Sequence, residues 1–177
     1  VNDRLPNPWL RVAGMTAVCA LILVGARGSS IAAQSGWIGE LYRVSPDSPL
    51  LSPDERKLIE RLPAEVPEGS LIAGDPWTGT ALAFALSGSE VVFPHLKGEF
   101  GAEAMELAAD FESLEKPEAC TLLDALNIDF ILDFGGPVYQ SGSDASLRFE
   151  GLRGVSGSPA LEPVDREGEA ALYRVQC

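Results

Sequence analysis

The sequence has few of the residue types that carry most catalytic and metal chemistry. A single histidine means that a Ser-His-Asp arrangement could use only His95. The three cysteines form no Cys-x-x-Cys pair and no Cys/His cluster, which argues against a zinc site. Neither a Walker A loop nor a Rossmann glycine fingerprint occurs, because each needs more glycines at fixed spacing. No self-sufficient catalytic motif is present, and the sequence predicts no cofactor and no metal.

Basic residues are scarce beyond the N-terminal segment. Up to Arg27 there are three arginines against one acid, whereas the rest of the chain has 25 acids against 10 bases, giving a formal net charge of −13. Such a surface repels nucleic-acid phosphates and anionic lipid head groups, so we exclude nucleic acid as a partner. We interpret most of the acids as a solvated surface. Divalent cation binding is the alternative, although the oxygen ligands are not clustered in sequence.

One apolar run stands near the N-terminus. Residues 12–26 (VAGMTAVCALILVGA) are 15 residues without a charge, between Arg11 and Arg27. A helix extended back to Pro8 would be marginal for a membrane span, which needs about 20 residues. The alternatives are a signal peptide cleaved after residue 32 or 33 and a buried core helix. We favour the last span of a larger, truncated protein, because the chain begins with valine.

This interpretation divides the chain into three parts. Residues 1–27 are the membrane-spanning segment, residues 28–52 a connector, and residues 53–177 a domain outside the cytoplasm. A signal peptide would place the domain on the same side, and arginines before the span agree weakly with the positive-inside rule. Within the connector, Trp37 and Tyr42 are candidate anchors at the membrane interface. The predicted location is the cell membrane, with the membrane itself as a partner through the N-terminal helix.

The domain has an alternating helix and strand pattern. Ser52, Pro53 and Glu55 form a helix start with a capping box, and Pro63 is expected to end that helix. The predicted strands are residues 70–74, 90–93 and 128–134, and the predicted helices are 80–86, 102–114 and one from Pro117. Residues 161–175 read as a hairpin that turns at 166–169. Helical crossovers make the first strands parallel, so we predict a three-layer α/β fold with a mixed sheet.

One loop is a candidate binding site. Asp75, Pro76, Trp77, Thr78 and Gly79 follow the first strand and lead into a helix near Thr80. Ligands of open α/β sheets bind beyond the carboxyl ends of strands. Free N–H groups at a helix start favour an anion or a sugar hydroxyl, and the indole ring of Trp77 can stack on a sugar. The structural alternative is that the carboxylate or a hydroxyl caps the helix and the ring fills the core.

Two further residues could join the same cleft. His95 ends the second strand and Asp133 ends the third, so parallel strands would bring both near Asp75. A His–Asp pair there could carry acid–base chemistry, although such a histidine is more often a hydrogen-bonded loop residue. The candidate ligand-binding set is therefore Asp75, Trp77, Thr78, Gly79, Thr80, His95 and Asp133.

A family resemblance gives these residues a context. Residues 66–96 (VPEGSLIAGDPWTGTALAFALSGSEVVFPHL) resemble the soluble C-terminal region of a family of unknown function. Its members are large multi-span membrane proteins of high-GC Gram-positive bacteria, similar to GT-C type glycosyltransferases. Cys120 with residues 126–133, and residues 172–177, are similar to later segments of that region. Glycosyltransferases of this type place their catalytic carboxylate in an early outer loop. The resemblance therefore implies a non-catalytic outer domain that binds or orients a glycan or a lipid-linked acceptor.

Two other functions compete with this one. A membrane-anchored structural or interaction module would need no ligand. A free-standing hydrolase ranks last, because no nucleophile and base pair is evident.

The cysteines supply a further prediction. Cys19 lies in the apolar run, which leaves Cys120 and Cys177 as the possible pair in the domain. Outside the cytoplasm such a pair usually forms a disulfide, and this one would secure the last strand against fraying. The alternative is two separate thiols, one packed as a small apolar side chain and one exposed.

Overall fold

The computed structural model describes residues 8–27, 34–36, 38–39, 43, 45–46, 48 and 50–177. The chain divides into two compact units, Val1–Arg43 and Val44–Cys177. The predicted interfacial anchors Trp37 and Tyr42, and the candidate cleavage site before residue 34, lie outside the described residues.

The first unit contains helix α1, Pro8–Arg27, which confirms the predicted helix. It has no polar face, and its large apolar side chains from Trp9 to Val24 are exposed. Among the described helices, none is both long and apolar enough to cross a membrane.

The second unit is an α/β domain in which short helices alternate with strands. Its helices are α2 (Pro53–Glu65), α3 (Leu82–Ser87), α4 (Ala102–Asp110), α5 (Lys116–Ala125) and α6 (Asp144–Leu147). Its strands are β1 (Leu71–Ala73), β2 (Glu90–Val91), β3 (Ile128–Asp133), β4 (Leu161–Glu167) and β5 (Ala170–Val175). Single 3₁₀ turns occur at Pro76–Thr78, Phe111–Ser113, Glu150–Leu152 and Val155–Gly157.

The five strands form one sheet in the order β2-β1-β3-β5-β4. Strand β1 pairs in parallel with both β2 and β3, as the helical crossovers predicted. Strand β5 pairs antiparallel with β3 on one side and with β4 on the other. The predicted mixed sheet with a C-terminal hairpin is therefore confirmed.

The sheet separates two apolar cores, which makes the domain three-layered. On one face, Ile72, Phe130 and Leu132 pack with side chains of α2 and α3. On the other face, Ala73 and Ile131 pack with α4, α5 and the segment that follows residue 149. Side chains of successive strand residues point to opposite faces, so one short strand contributes to both cores.

Helix α2 begins as predicted and ends later than predicted. Ser52 Oγ accepts a hydrogen bond from Glu55 N, and Glu55 Oε2 accepts one from Ser52 N, which completes the capping box. Pro63 was expected to end the helix, but α2 continues to Glu65. Pro63 has no N–H to donate to Ile59 O, but the helical pattern resumes after it, since Val66 N donates to Leu62 O.

A disulfide joins Cys120 of α5 to Cys177, which lies just beyond β5. The two Cα atoms are 5.5 Å apart, within the range that a disulfide requires. The predicted pairing is confirmed, and the alternative of two separate thiols is not what the structure has.

Candidate functional site

The predicted binding loop is held in shape by its own polar groups. Asp75 caps the 3₁₀ turn Pro76–Thr78, with its Oδ1 accepting from Trp77 N at 2.8 Å. The main-chain oxygen of Asp75 accepts from Thr78 Oγ1 at 2.9 Å and from Thr80 Oγ1 at 2.7 Å. The carboxylate of Asp75 and the hydroxyls of Thr78 and Thr80 are thus engaged inside the protein. This is the pattern expected of the structural alternative.

The second oxygen of Asp75 pairs with an arginine distant in sequence. Arg153 Nε donates to Asp75 Oδ2 at 2.5 Å, and another nitrogen of the same guanidinium donates to Ser146 O at 2.6 Å. Asp75 is 1% exposed, and the side chain of Arg153 is 21% exposed. The ion pair therefore holds residues 146–153, the covering segment, over the end of β1.

Asp133 holds a later segment of the chain over the end of β3 through hydrogen bonds. Its Oδ1 accepts from Gly135 N and its Oδ2 from Val155 N, both at 3.0 Å. Burial raises the pKa of Asp133, and the hydrogen bonds from main-chain N–H groups oppose that rise. Burial also raises the pKa of Asp75, Arg153 acts to lower it, and the nearby charge of Asp133 adds to the rise. Asp75 and Asp133 are therefore close enough for the charge of Asp133 to act on the pKa of Asp75.

Trp77 is covered by the loop after β3. Its ring is 1% exposed and stacks on Tyr139, with ring centroids 6.2 Å apart, and its main-chain oxygen accepts from Tyr139 N at 2.8 Å. Trp77 Nε1 is the one fully buried side-chain polar atom of the described residues that lacks a hydrogen-bond partner. The indole therefore fills the core, and its face is not open for a sugar to stack on.

Gly79 is required by the backbone. Its φ of 99° is in the left-handed region, and a Cβ built on it would lie 1.9 Å from the main-chain oxygen of Leu50. The glycine thus allows the segment before α2 to pass close to the loop.

His95 makes no polar contact with this cluster within the described residues. His95 is exposed in the segment after β2, and among the described residues it makes no hydrogen bond or ion pair with a carboxylate. Asp75, Trp77, Thr78, Thr80 and Asp133 are all buried at this end of the sheet, whereas His95 is exposed. Ligand binding by these residues stays a prediction.

An open pocket lies on the other side of the β3 end. Its volume is about 410 Å³, and it lies between the start of α2, residues 134–137 and the hairpin turn at residues 168–170. Glu55 reaches its wall although only 4% of that residue is exposed. Sequence reasoning identified Glu55 as a capping residue and missed the pocket, because three segments distant in sequence form it. Within the described part of the chain, no group of three or more His, Cys, Asp or Glu side chains could hold a metal ion.

Comparisons with known proteins give a family and a distant likeness of fold. The model of a family of unknown function matches residues 2–177. A similar solved structure is the C-terminal globular domain of an oligosaccharyltransferase from Archaeoglobus fulgidus, with 9% sequence identity and a TM-score of 0.49. That match covers 71% of this chain and 98% of the other. No curated protein matches the sequence.

Proposed function

The chain belongs to the family of unknown function DUF6541, and we propose that its second unit is a non-catalytic extracytoplasmic domain of a larger, glycosyltransferase-like membrane protein. In this proposal the domain helps to bind or orient a glycan or a lipid-linked acceptor. The observation that carries the proposal is the disulfide between Cys120 and Cys177. Structural disulfides form and persist in oxidising compartments, and they are rare in the cytosol.

The use of the polar side chains supports a non-catalytic role. An acid–base catalyst needs a titratable group within hydrogen-bonding reach of its substrate. Asp75 and Asp133 are both buried, and each of their four oxygens accepts a hydrogen bond from the protein. In this proposal the two carboxylates stabilise the covering segment and the turn that follows it through these hydrogen bonds.

Attachment to the membrane through α1 is part of the proposal. It is motivated by the exposed, uncharged stretch between Arg11 and Arg27. The resemblance of residues 66–96 to the outer region of multi-span glycosyltransferase-like proteins points to the same setting.

Differential alkylation tests the compartment. Whole cells carrying the full-length protein would be treated with N-ethylmaleimide, lysed under denaturing conditions, reduced, and treated with iodoacetamide. Mass spectrometry should find Cys120 and Cys177 with the second reagent alone. Cys19, which is a free thiol, serves as the internal reference for a cysteine outside the disulfide. If both domain cysteines take up N-ethylmaleimide before reduction, the extracytoplasmic assignment is wrong.

A second candidate is a structural or interaction module without a ligand. The burial of Trp77 favours it, because the ring proposed to stack on a sugar is covered by Tyr139. Glycan-array binding by the full-length protein in nanodiscs separates the two candidates. Binding of a cell-envelope glycan supports the first candidate. No binding to any glycan or lipid-linked sugar supports the second.

A further inference from the structure

We propose that the pocket beside Glu55 binds a small ligand that carries a protonated primary amine. Among the described residues, the charged side chains that line this pocket are three acids, Asp54, Glu55 and Glu169, and none is a lysine, arginine or histidine. An acidic wall of this kind attracts a cation and repels an anion. The inference goes beyond the proposed function, because it holds on whichever side of a membrane the domain lies.

Glu55 provides the specific contact. Its Oε2 accepts from Ser52 N at 2.5 Å, whereas its Oε1 has no hydrogen bond within the described residues. This second oxygen faces Gly136, because a Cβ built on that glycine would lie 3.0 Å from it. Both residues line the pocket. Unlike Trp77 Nε1, Glu55 Oε1 is not fully enclosed, so a ligand in the pocket can reach it.

A lysine of α2 two residues from Glu55 is already paired with other carboxylates. Lys57 Nζ donates to Asp54 Oδ1 and to Glu167 Oε1, each at 3.1 Å. Glu55 is thus a buried carboxylate without an ion-pair partner among the described residues. Burial raises the pKa of Glu55, and the charge of Asp54 adds to that rise. A bound ammonium would supply the missing positive charge and donate to the free oxygen.

The rest of the pocket suits a compact frame. Its other walls are mostly apolar, and they come from Pro46, Pro53, Phe134, Pro137 and Ala170. The volume of about 410 Å³ falls within the range of small-molecule sites. A short amine with C–H groups to pack on these walls fits this lining, and amino sugars and ethanolamine head groups both have that chemistry.

Calorimetric titration of the full chain tests the proposal with matched probes. Glucosamine carries the amine, N-acetylglucosamine has it acetylated and uncharged, and glucose lacks it. Glucosamine should bind about tenfold more tightly than either control, since a hydrogen bond to a charged group contributes about that factor. Ethanolamine distinguishes the two possible ligand classes. If ethanolamine binds more tightly than glucosamine, the ligand is a lipid head group, and if it binds more weakly, the ligand is an amino sugar.

Two variants tie the binding to Glu55. Glu55→Gln should weaken amine binding about tenfold, and glutamine can still complete the capping box, so the helix start is preserved. Glu60→Gln is the matched control, because Glu60 is an exposed residue of the same helix that pairs with Arg56. If Glu55→Gln fails to fold, Gly136→Ala replaces it. The new methyl group would crowd Glu55 Oε1, while Glu55 keeps its negative charge. Equal binding of glucosamine and N-acetylglucosamine, or no amine binding at millimolar concentration, would overturn the proposal. So would wild-type affinity in a folded Glu55→Gln or Gly136→Ala variant.

Discussion

Replacing Arg153 with methionine should lower the free energy of unfolding by about 3–5 kcal/mol at neutral pH. Methionine keeps much of the apolar stem and removes the positive charge beside Asp75. The carboxylate left behind is 1% exposed, so water cannot replace the lost ion pair. The variant also loses the hydrogen bond from the guanidinium to Ser146 O, which holds the covering segment in place.

The predicted cost depends on pH, and its sign follows from linkage. The pKa of Asp75 is raised above its ordinary value of 3.8 in the folded protein, because burial outweighs the effect of Arg153. The folded state therefore binds this proton more tightly than the unfolded state. The stabilisation that this tighter binding gives is complete below the unfolded pKa and is lost as pH rises through the folded pKa.

Removing Arg153 takes away an influence that lowers the pKa of Asp75, so the pKa rises further. The difference in free energy of unfolding between the variant and the wild type should then be large at pH 7. It should be smaller below about pH 4, where Asp75 is protonated in both proteins.

Urea denaturation at both pH values measures this effect. Arg148→Met is the matched control, because Arg148 is an exposed arginine of the same segment, and it should change stability by less than about 0.5 kcal/mol. Adding Asp75→Asn to the Arg153 variant should recover part of the loss, since it removes the uncompensated charge. Equal losses for Arg153→Met and Arg148→Met, or a loss that does not depend on pH, would refute the reasoning.

Three further predictions concern stability and use the same urea assay. Replacing both Cys120 and Cys177 by serine should lower the free energy of unfolding by about 4 kcal/mol, because the disulfide joins residues 57 positions apart and closes a long loop. A change near zero would contradict this. Gly79→Ala should cost clearly more than Gly88→Ala, since both glycines have positive φ but only the first would place a Cβ against backbone; equal costs would contradict this. Trp77→Ala should cost about 3–5 kcal/mol and Trp77→Phe much less, because its indole N–H has no partner to lose; similar costs would contradict this.

Much of the architecture could be predicted from local patterns. The β1 and β3 strands are short apolar runs, and the segments between β1, β2 and β3 contain helices, which predicts parallel pairing. The second strand was predicted to reach Phe93, but it ends at Val91. Pairing continues one residue further, since Val92 N donates to Ile72 O, so the difference lies in the boundary rather than in the topology.

The burial of the candidate loop could not be predicted in this way. Trp77 and Asp75 were correctly placed beyond the carboxyl end of β1, but what covers them comes from far along the chain. Arg153 is 78 residues from Asp75, and Tyr139 belongs to a Gly/Ser-rich stretch whose sequence shows no periodicity. A strand end of this kind can be open or covered, and local sequence does not distinguish the two cases.

The two edge strands of the sheet determine whether the folded domain aggregates at high protein concentration. An unpaired strand edge is a template for pairing with other copies, which leads to aggregation. Here one edge, β2, is only two residues long. The other, β4, contains Pro163, which has no N–H to donate, a register shift before Asp165, and charged residues along its length. Neither edge offers a long flat row of free hydrogen-bonding groups, so the folded domain should stay dispersed at concentrations where an uninterrupted edge would promote fibrils.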